Sequence, residues 1–257
     1  MDLSEFAIYP SLKGKGVLVT GGGSGIGAAI TECFCQQGAN VAFIDIDKPA
    51  SETLVAAIKK EHGKAPTFIR CDLRDVAALK VAVADAVHAV GPIDALVNNA
   101  AQDDRHDWAD VTADYWDERM AVNLRHMFFT TQAVAPEMAK RGGGAIINFG
   151  SISYKLKIGD YPAYTTAKAA VHGLTTSAAR HYGQSGVRVN TILPGWVMTE
   201  RQLKLWVTKE GEAQLDREQP LKGRILPVDI ARMVLFLAST DGRMCSGQEF
   251  TVDAGWA

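Results

Sequence analysis

The chain alternates short apolar segments, rich in β-branched residues, with longer alanine-rich segments whose apolar positions recur at helical spacing. The short segments have the length of buried strands, and the longer ones have the period of amphipathic helices. The predicted strands are residues 16–20, 40–45, 66–70, 93–98, 145–150, 187–193 and 248–253. Right-handed crossovers between parallel strands place helices on both faces of a sheet. The pattern predicts an α/β fold with a doubly wound, seven-stranded parallel sheet.

No linker rich in proline, glycine or serine interrupts this alternation, so we expect residues 1–257 to form a single domain. The alternation weakens only at residues 199–226, which are polar and helix-prone. A long connection near the carboxyl edge of a sheet is typical of a lid or a binding loop. We predict that this helical segment covers the substrate, and a pair of amphipathic surface helices is the alternative.

Composition and charge exclude several classes of function. With 257 residues, 47% of them hydrophobic and 22% charged, the chain can bury a substantial core. A formal net charge of -2 and a pI near 6.3 give no basic field for nucleic acid or an anionic membrane. The N-terminal stretch MDLSEFAIYP lacks a signal-peptide pattern, and no apolar run approaches the roughly 18 residues that span a bilayer. We expect a cytoplasmic protein with a small-molecule substrate and no nucleic-acid or membrane partner.

A glycine-rich stretch, TGGGSGIG, follows the first predicted strand and leads into a predicted helix. Two dinucleotide-binding spacings fit this stretch. Gly23, Gly25 and Ala28 match G-x-G-x-x-G/A, whereas Gly21, Gly25 and Gly27 match G-x-x-x-G-x-G. Glycines let the backbone approach a pyrophosphate, whose charge then meets the free N–H groups at the helix N-terminus. The stretch predicts a phosphate-binding loop.

Two aspartates end the next two predicted strands. Asp45 lies close to the distance of about 20 residues at which a carboxylate binds the adenosine ribose in dinucleotide-binding proteins. Such a carboxylate repels a 2′-phosphate, and only Lys48 is basic nearby, so we expect NAD rather than NADP. Asp72 either binds the adenine or caps the helix that follows it. No histidine pair has HExxH-like spacing, and we expect no metal site.

Residues 148–168 contain the candidate chemistry. Ser151 lies at the carboxyl end of the fifth predicted strand, where ligands bind in open α/β sheets. Pro162 suits the first turn of a helix, on which Tyr164 and Lys168 are four residues apart and share a face. An adjacent ammonium stabilises a phenolate and makes tyrosine a usable acid or base near neutral pH. The spacing predicts a proton-transfer site at Tyr164.

Several motifs together resemble the short-chain dehydrogenase/reductase family over essentially the full length of the chain. They are TGGGSGIG, Asp72, NNAA at residues 98–101, Asn123 in MAVNL, Ser151, YTTAK at residues 164–168 and PGWVMT at residues 194–199. The resemblance implies a Rossmann fold, an NAD-dependent oxidoreductase and a homotetramer. It also implies a catalytic tetrad of Asn123, Ser151, Tyr164 and Lys168. Ala101 stands where the family usually has glycine.

The resemblance, together with the glycine loop and the strand-end aspartates, gives the expected cofactor-binding residues. They are Gly21, Ser24, Gly25, Ile26, Gly27, Asp45, Asp72, Leu73, Asn98, Ala100, Tyr164, Lys168, Pro194, Gly195, Val197 and Thr199. The strand-end and loop positions of these residues would surround one extended dinucleotide.

Further motifs resemble the aldose 1-dehydrogenases within this family, among them DDRH at residues 103–106, VNLRHM, LKGRI and the terminal DAGWA. This resemblance implies oxidation of an aldose at C1 to the lactone, the sugar being a pentose such as D-xylose or L-arabinose, or a related hexose. Sugar hydroxyls need polar partners in a buried site. The expected substrate-binding residues are Gln102, Ser151, Ser153, Tyr154, Tyr161, Tyr164 and Trp196, with Asp103, Arg105, His106 and Asp160 as further candidates.

Three alternative functions stay open at this point. A dehydrogenase of another polyol or secondary alcohol would use the same tetrad. A 3-oxoacyl or other carbonyl reductase usually requires NADPH and a basic residue near the ribose, which Asp45 opposes. A noncatalytic dinucleotide sensor would be expected to have lost the serine or the Tyr/Lys pair, and this chain keeps Ser151, Tyr164 and Lys168.

Overall fold

The computed structural model describes residues 5–257, so residues 1–4 of the N-terminal stretch lie outside it. All seven predicted strands are present, and their ends differ from the prediction by at most one residue. The strands are β1 (Gly16–Thr20), β2 (Asn40–Asp45), β3 (Thr67–Arg70), β4 (Ile93–Asn98), β5 (Gly144–Phe149), β6 (Val187–Pro194) and β7 (Glu249–Val252). They form one parallel sheet in the order β3-β2-β1-β4-β5-β6-β7, which confirms the predicted fold class.

Helices pack on both faces of this sheet. They are α1 (Gly25–Gln36), α2 (Lys48–His62), α3 (Val76–Val90), α4 (Ala113–Met120), α5 (His126–Lys140), α6 (Pro162–Tyr182), α7 (Glu200–Leu205), α8 (Lys209–Glu218) and α9 (Pro227–Ala238). A π-helix at Ala121–Arg125 joins α4 to α5. None of the helices between residues 5 and 257 combines the length and apolar character needed to cross a bilayer.

Strand β1 shows how the sequence produces this layered core. Val17 and Val19 pack into the cluster that includes residues of α1 and α9. Leu18, between them, packs into the opposite cluster with residues of α3 and α5. Because successive side chains of a strand point to opposite faces, an uninterrupted apolar strand requires helices on both sides. All three side chains are fully buried.

The strand order reverses between β1 and β4, which lie side by side in the centre of the sheet. The chain leaves β1 toward β2 on one side, whereas β4 continues to β5 on the other. At such a switch point the connections diverge and leave a crevice beyond the carboxyl ends of the strands. The glycine loop after Thr20 lies at this crevice.

The polar segment at residues 199–226 contains α7 and α8. Thr199 caps α7 by accepting a hydrogen bond from the Gln202 N–H at 3.2 Å, and Thr208 caps α8 through the Gly211 N–H at 3.1 Å. Leu215 is the buried residue of α8. Helix α7 buries no residue, whereas α8 packs through Leu215, and most residues of both helices are exposed.

Candidate active site

A cavity of about 1620 Å³ lies at the carboxyl edge of the sheet and extends from the glycine loop to α7 and α8. It brings together residues from the two halves of the sheet that are far apart in sequence. Of the expected cofactor-binding residues, its lining contains Gly21, Ser24, Gly25, Ile26, Gly27, Asp45, Asp72, Leu73, Ala100, Tyr164, Lys168, Pro194, Gly195, Val197 and Thr199. Ser151 and most of the expected substrate-binding residues line the same cavity.

The glycine loop packs closely against the N-terminus of α1. A Cβ atom on Gly27 would lie 1.8 Å from the Gly21 carbonyl oxygen, so α1 packs directly against the loop. Gly21 and Gly25 have backbone φ angles of 64° and 53°, which residues that carry a Cβ atom rarely adopt. Ser24 is the N-cap of α1 and forms no side-chain capping bond. The G-x-x-x-G-x-G spacing thus coincides with the positions that need glycine, and the helix N-terminus is available to an anion.

The Asp45 carboxylate is held at the end of β2 by two backbone groups. The Gly23 N–H donates to Oδ2 at 2.8 Å, and the Asp47 N–H donates to Oδ1 at 3.0 Å. Each carboxylate oxygen keeps a lone pair for a further donor. Lys48, the nearby cation, pairs with Glu52 at 3.6 Å. The carboxylate is therefore preorganised to accept hydrogen bonds from a diol.

Asp72 does not cap α3, because Asp75 takes that role by accepting from the Ala77 and Ala78 N–H groups. The Asp72 carboxylate instead accepts hydrogen bonds from Arg74, one of them at 2.7 Å. This hydrogen bond lowers the pKa of Asp72, so the carboxylate stays ionised in the cavity wall. The capping alternative considered for Asp72 is thereby excluded.

Asn98 is placed differently from the expectation. Its side chain is fully buried, donates to the Asn148 Oδ1 at 2.8 Å and accepts from the Thr130 hydroxyl at 2.6 Å. The residue that lines the cavity is its neighbour Asn99, whose amide donates to the carbonyls of Thr20 and Gly21 at 3.1 and 2.9 Å. Asn99 was not among the expected residues, although neighbouring residues at a strand end point to opposite sides, so that a buried Asn98 side chain places that of Asn99 toward the cavity.

Ser151 and Tyr164 both line the cavity. Ser151 follows β5, and its hydroxyl accepts a hydrogen bond from the Ser153 N–H at 3.1 Å. The Ser151 hydroxyl, as a hydrogen-bond partner for the phenolate, lowers the pKa of Tyr164. Burial has the larger and opposite effect, and together with the Asp103 carboxylate it raises the pKa of Tyr164 above its ordinary value. With the protein's own groups alone, Tyr164 is a phenol near neutral pH.

Lys168 lies one helical turn after Tyr164, as the spacing predicted. Its side chain is 2% exposed, and its Nζ donates to the Phe149 carbonyl at 2.7 Å. The nitrogen is 5.7 Å from the centre of the Tyr164 ring. Burial lowers the pKa of Lys168 to about 7. The helix thus places a readily deprotonated amine beside the phenol.

Asn123 lies in the π-helix, with its side chain turned toward the backbone. Oδ1 accepts from the Gln102 N–H at 2.9 Å, and Nδ2 donates to the carbonyls of Arg119 and Gln102 at 3.0 and 3.1 Å. The residue is fully buried, and Val122 is the neighbour that lines the cavity. Asn123 therefore fastens the loop after β4 to the end of α4.

The loop after β4 alternates cavity-lining and anchoring residues. Asp103 and Arg105 line the cavity, whereas Asp104 accepts a hydrogen bond from Arg119 at 3.0 Å. His106 does not line the cavity, in contrast to the expectation. Its Nε2 accepts the N–H of Ala163 in the first turn of α6 at 3.3 Å. His106 thereby caps the helix that carries Tyr164, since the N-cap residue of α6 makes no side-chain cap.

Tyr154 also departs from its expected place. Its hydroxyl donates to Glu249 of β7 at 2.6 Å, outside the residues that line the cavity. Ser153 does line the cavity and is 2% exposed. Trp196 lines it as well and donates from Nε1 to the Gln202 Oε1 of α7 at 2.9 Å. The substrate end of the cavity is thus formed by the loop after β5, the segment after β6 and α7.

Comparisons with known proteins agree with this arrangement. The family model described as enoyl-(acyl carrier protein) reductase matches residues 21–257. D-xylose 1-dehydrogenase of Caulobacter vibrioides is 54% identical over 250 residues, 97% of this chain and 98% of its own. A probable galactose dehydrogenase of Rhizobium meliloti is 48% identical over 247 residues, 96% of each chain. D-threitol dehydrogenase of Mycolicibacterium smegmatis is 37% identical and covers 95% of this chain and 94% of its own.

Solved structures share the whole fold. A 7α-hydroxysteroid dehydrogenase complexed with NADH and 7-oxo glycochenodeoxycholic acid has a TM-score of 0.90 at 32% identity, covering 96% of this chain and 97% of its own. A blue fluorescent protein from a metagenomic library, in complex with NADPH, has a TM-score of 0.88 at 33% identity. The match covers 96% of this chain and 99% of that protein's own. The chain therefore belongs to the short-chain dehydrogenase/reductase family.

Proposed function

We propose that this protein oxidises an aldose sugar at C1 to the lactone, with NAD as the acceptor. The observation that carries the proposal is the single cavity in which Ser151 and Tyr164 lie between a dinucleotide-binding loop and a polar wall that includes Asp103 and Arg105. Relatives at 54% and 48% identity bear the names of a xylose and a galactose dehydrogenase, which supports a pentose such as D-xylose or L-arabinose, or a related hexose.

The cofactor is held by residues along the cavity. The N-terminus of α1 receives the pyrophosphate, and Asp45 accepts from both hydroxyls of the adenosine ribose. Asp72 binds the adenine, and Thr199 lies near the carboxamide of the nicotinamide. The fixed carboxylate of Asp45 repels a 2′-phosphate, and the neighbouring Lys48 is paired with Glu52, which favours NAD over NADP.

When bound, NAD supplies the acceptor for the hydride that leaves C1. Tyr164, as phenolate, removes the proton of the C1 hydroxyl, and the remaining electron pair of that O–H bond forms the carbonyl of the lactone. Ser151 hydrogen-bonds the same oxygen, where negative charge develops during the transfer. Lys168 stabilises the phenolate and holds the nicotinamide ribose. Its pKa of about 7 suits it to pass on the proton that Tyr164 receives.

Asn123 orders a water molecule that carries the proton outward. The two Nδ2 protons of this side chain are engaged by backbone carbonyls, and Oδ1 accepts one N–H. An amide oxygen has two lone pairs, so one remains available for a water molecule. Asn123 also keeps Gln102, a cavity residue, in a fixed position.

Helices α7 and α8 cover the substrate. Both contribute residues to the cavity lining, and α7 is tied to the loop after β4 by Arg201 and Gln202. In addition we propose a cytoplasmic homotetramer, which the family resemblance supports. Light scattering coupled to size-exclusion chromatography measures the assembly directly.

A dehydrogenase of another polyol is the second candidate function. The observation that favours it is the relative named D-threitol dehydrogenase, at 37% identity. An open-chain polyol presents the same secondary hydroxyl to Tyr164, and the polar wall of the cavity suits it equally well. The two candidates differ in their product, because a polyol yields a ketose or an aldose rather than a lactone.

One assay tests the proposal and separates these candidates. NADH or NADPH formation is followed at 340 nm with NAD and, separately, NADP across a panel of aldoses, polyols and hydroxy acids. The proposal predicts the highest kcat/KM for an aldose with NAD, together with lactone formation. Turnover of polyols alone would favour the second candidate, and turnover of neither aldoses nor polyols with either cofactor would contradict both.

A further inference from the structure

Arg105 occupies an unusual position at the substrate end of the cavity. Its guanidinium carbon lies 4.1 Å from the centre of the Tyr161 ring and 5.2 Å from that of the Trp206 ring. Tyr161 immediately precedes α6, and Trp206 immediately follows α7. The guanidinium is therefore held against aromatic rings from two different walls of the cavity.

When a guanidinium stacks on an aromatic ring, one of its flat faces contacts the ring. Its N–H groups point outward in the guanidinium plane and can still donate hydrogen bonds. Among residues 5–257, no carboxylate forms an ion pair with Arg105, in contrast to Arg119 and Arg201 close by. The five N–H donors of an arginine need acceptors when the group is half-buried. Since Arg105 lines the cavity, a ligand in the cavity is placed to supply them.

An acceptor of opposite charge lies on the same loop. Asp103 also lines the cavity, and its Oδ2 accepts from Gln202 at 2.7 Å, whereas its Oδ1 is 3.5 Å from the Arg201 Nε. Oδ1 is therefore only loosely engaged. Asp103 and Arg105 are two residues apart in the loop after β4, and both side chains contribute to the cavity lining.

Two neutral groups of the cavity also lack partners within residues 5–257. The hydroxyl of Ser153 and the Nε1–H of Trp206 are both buried without a hydrogen bond. Buried polar atoms are rarely left unpaired, because a donor or acceptor that has lost its water without gaining a partner destabilises the folded protein. A ligand with several oxygen atoms would satisfy them, whereas an acyl chain would not.

We propose that Arg105 is a specificity-determining residue that donates hydrogen bonds to a non-reacting hydroxyl of the substrate, while Asp103 accepts from a neighbouring hydroxyl. The inference rests on the proposed function and deepens it. A hydroxyl both donates and accepts, so adjacent hydroxyls suit adjacent groups of opposite charge. A carboxylate could satisfy Arg105 but would be repelled by Asp103, whereas neighbouring hydroxyls satisfy both groups, and the pair therefore favours a neutral polyhydroxylated compound.

The test combines Arg105→Gln with deoxy analogues of the best substrate of the wild-type enzyme, each lacking one non-reacting hydroxyl. We expect Arg105→Gln to lower kcat/KM for the parent substrate by about 10- to 100-fold, mainly through KM. For the analogue that lacks the contacted hydroxyl, variant and wild type should agree within about threefold. Arg105→Lys keeps the charge without the planar fork, and we expect an intermediate loss.

Two controls accompany the series. Arg217→Gln makes the same substitution on α8 at an exposed position outside the cavity lining, and we expect wild-type kinetics from it. NADH affinity, measured by fluorescence titration, should be unchanged in both Arg105 variants, which shows that they are folded. Equal losses on the parent and on every deoxy analogue, or wild-type kinetics of Arg105→Gln, would overturn the role of Arg105. Absence of aldose turnover by the wild type would overturn the proposed function instead.

Discussion

The ammonium nitrogen of Lys168 lies 5.7 Å from the centre of the Tyr164 ring, one helical turn away. Burial lowers the pKa of the lysine to about 7 and raises that of the tyrosine. Both shifts favour the neutral forms, whereas oxidation of an alcohol requires a phenolate beside an ammonium. The phenolate therefore depends on an additional positive charge in the cavity, which the nicotinamide ring of NAD provides in the proposed complex, and the phenolate in turn favours the ammonium form of Lys168.

Tyr164→Phe should remove the proton acceptor with little change in shape. General acid–base catalysis contributes about 10²–10⁴ to a rate, and we expect kcat to fall by at least that factor. NADH affinity, measured by fluorescence, should stay within about twofold of the wild type, because only a hydroxyl is lost. Tyr154→Phe is the matched control, since Tyr154 bonds Glu249 outside the cavity lining. Retention of substantial turnover in Tyr164→Phe would exclude the catalytic role.

The pH dependence follows from the direction of the tyrosine shift. A raised pKa keeps Tyr164 protonated at neutral pH, so the phenolate fraction, and with it kcat/KM for oxidation, should rise with pH from neutral into the alkaline range. Ultraviolet titration of the protein without cofactor should show no Tyr164 ionisation below pH of about 10, the ordinary value for tyrosine. Tyr164→Phe identifies the signal. An ionisation below this pH that is absent from Tyr164→Phe would contradict the burial argument.

Asp45→Asn tests the choice of cofactor. The amide keeps an oxygen acceptor but removes the charge that repels a 2′-phosphate. We expect kcat/KM with NAD to fall, kcat/KM with NADP to rise, and their ratio to shift by about tenfold or more. Asp85→Asn, an exposed position on α3, is the control for a change in net charge. An unchanged ratio would show that Asp45 does not face the ribose.

The buried amide network predicts different effects for two neighbouring asparagines. Asn98→Leu leaves Asn148 and Thr130 without their partner, and we expect a loss of about 1–3 kcal/mol in the free energy of unfolding, measured in urea. Asn99→Ala should mainly weaken NADH binding, because Asn99 holds the glycine loop. Weaker NADH binding by Asn98→Leu at unchanged stability would contradict the assignment of Asn98 to the core.

Features that depend on residues close in sequence could be predicted, whereas features that depend on contacts between distant residues could not. Three features depend only on residues that are close in sequence: the periodicity of the strands, the glycine loop and the Tyr164–Lys168 spacing. In each case a few neighbouring residues determine the backbone geometry on which the prediction relies. All seven strands and the placement of Ser151 at a strand end were therefore accessible from the sequence. Asn98 was misplaced, because its side-chain direction depends on a partner 50 residues away.

The sequence by itself determined the doubly wound sheet, the glycine loop before α1 and the positions of Tyr164 and Lys168 on one face of α6 at the carboxyl edge of the sheet. Tertiary structure alone decided that Tyr154 bonds Glu249, that His106 caps α6, and that Arg105 lies against Tyr161 and Trp206. Each of these contacts joins segments whose relative position is set by packing on the sheet. No local sequence pattern determines the direction of a loop side chain. The residues that line the substrate end of the cavity could therefore be identified only in the folded protein.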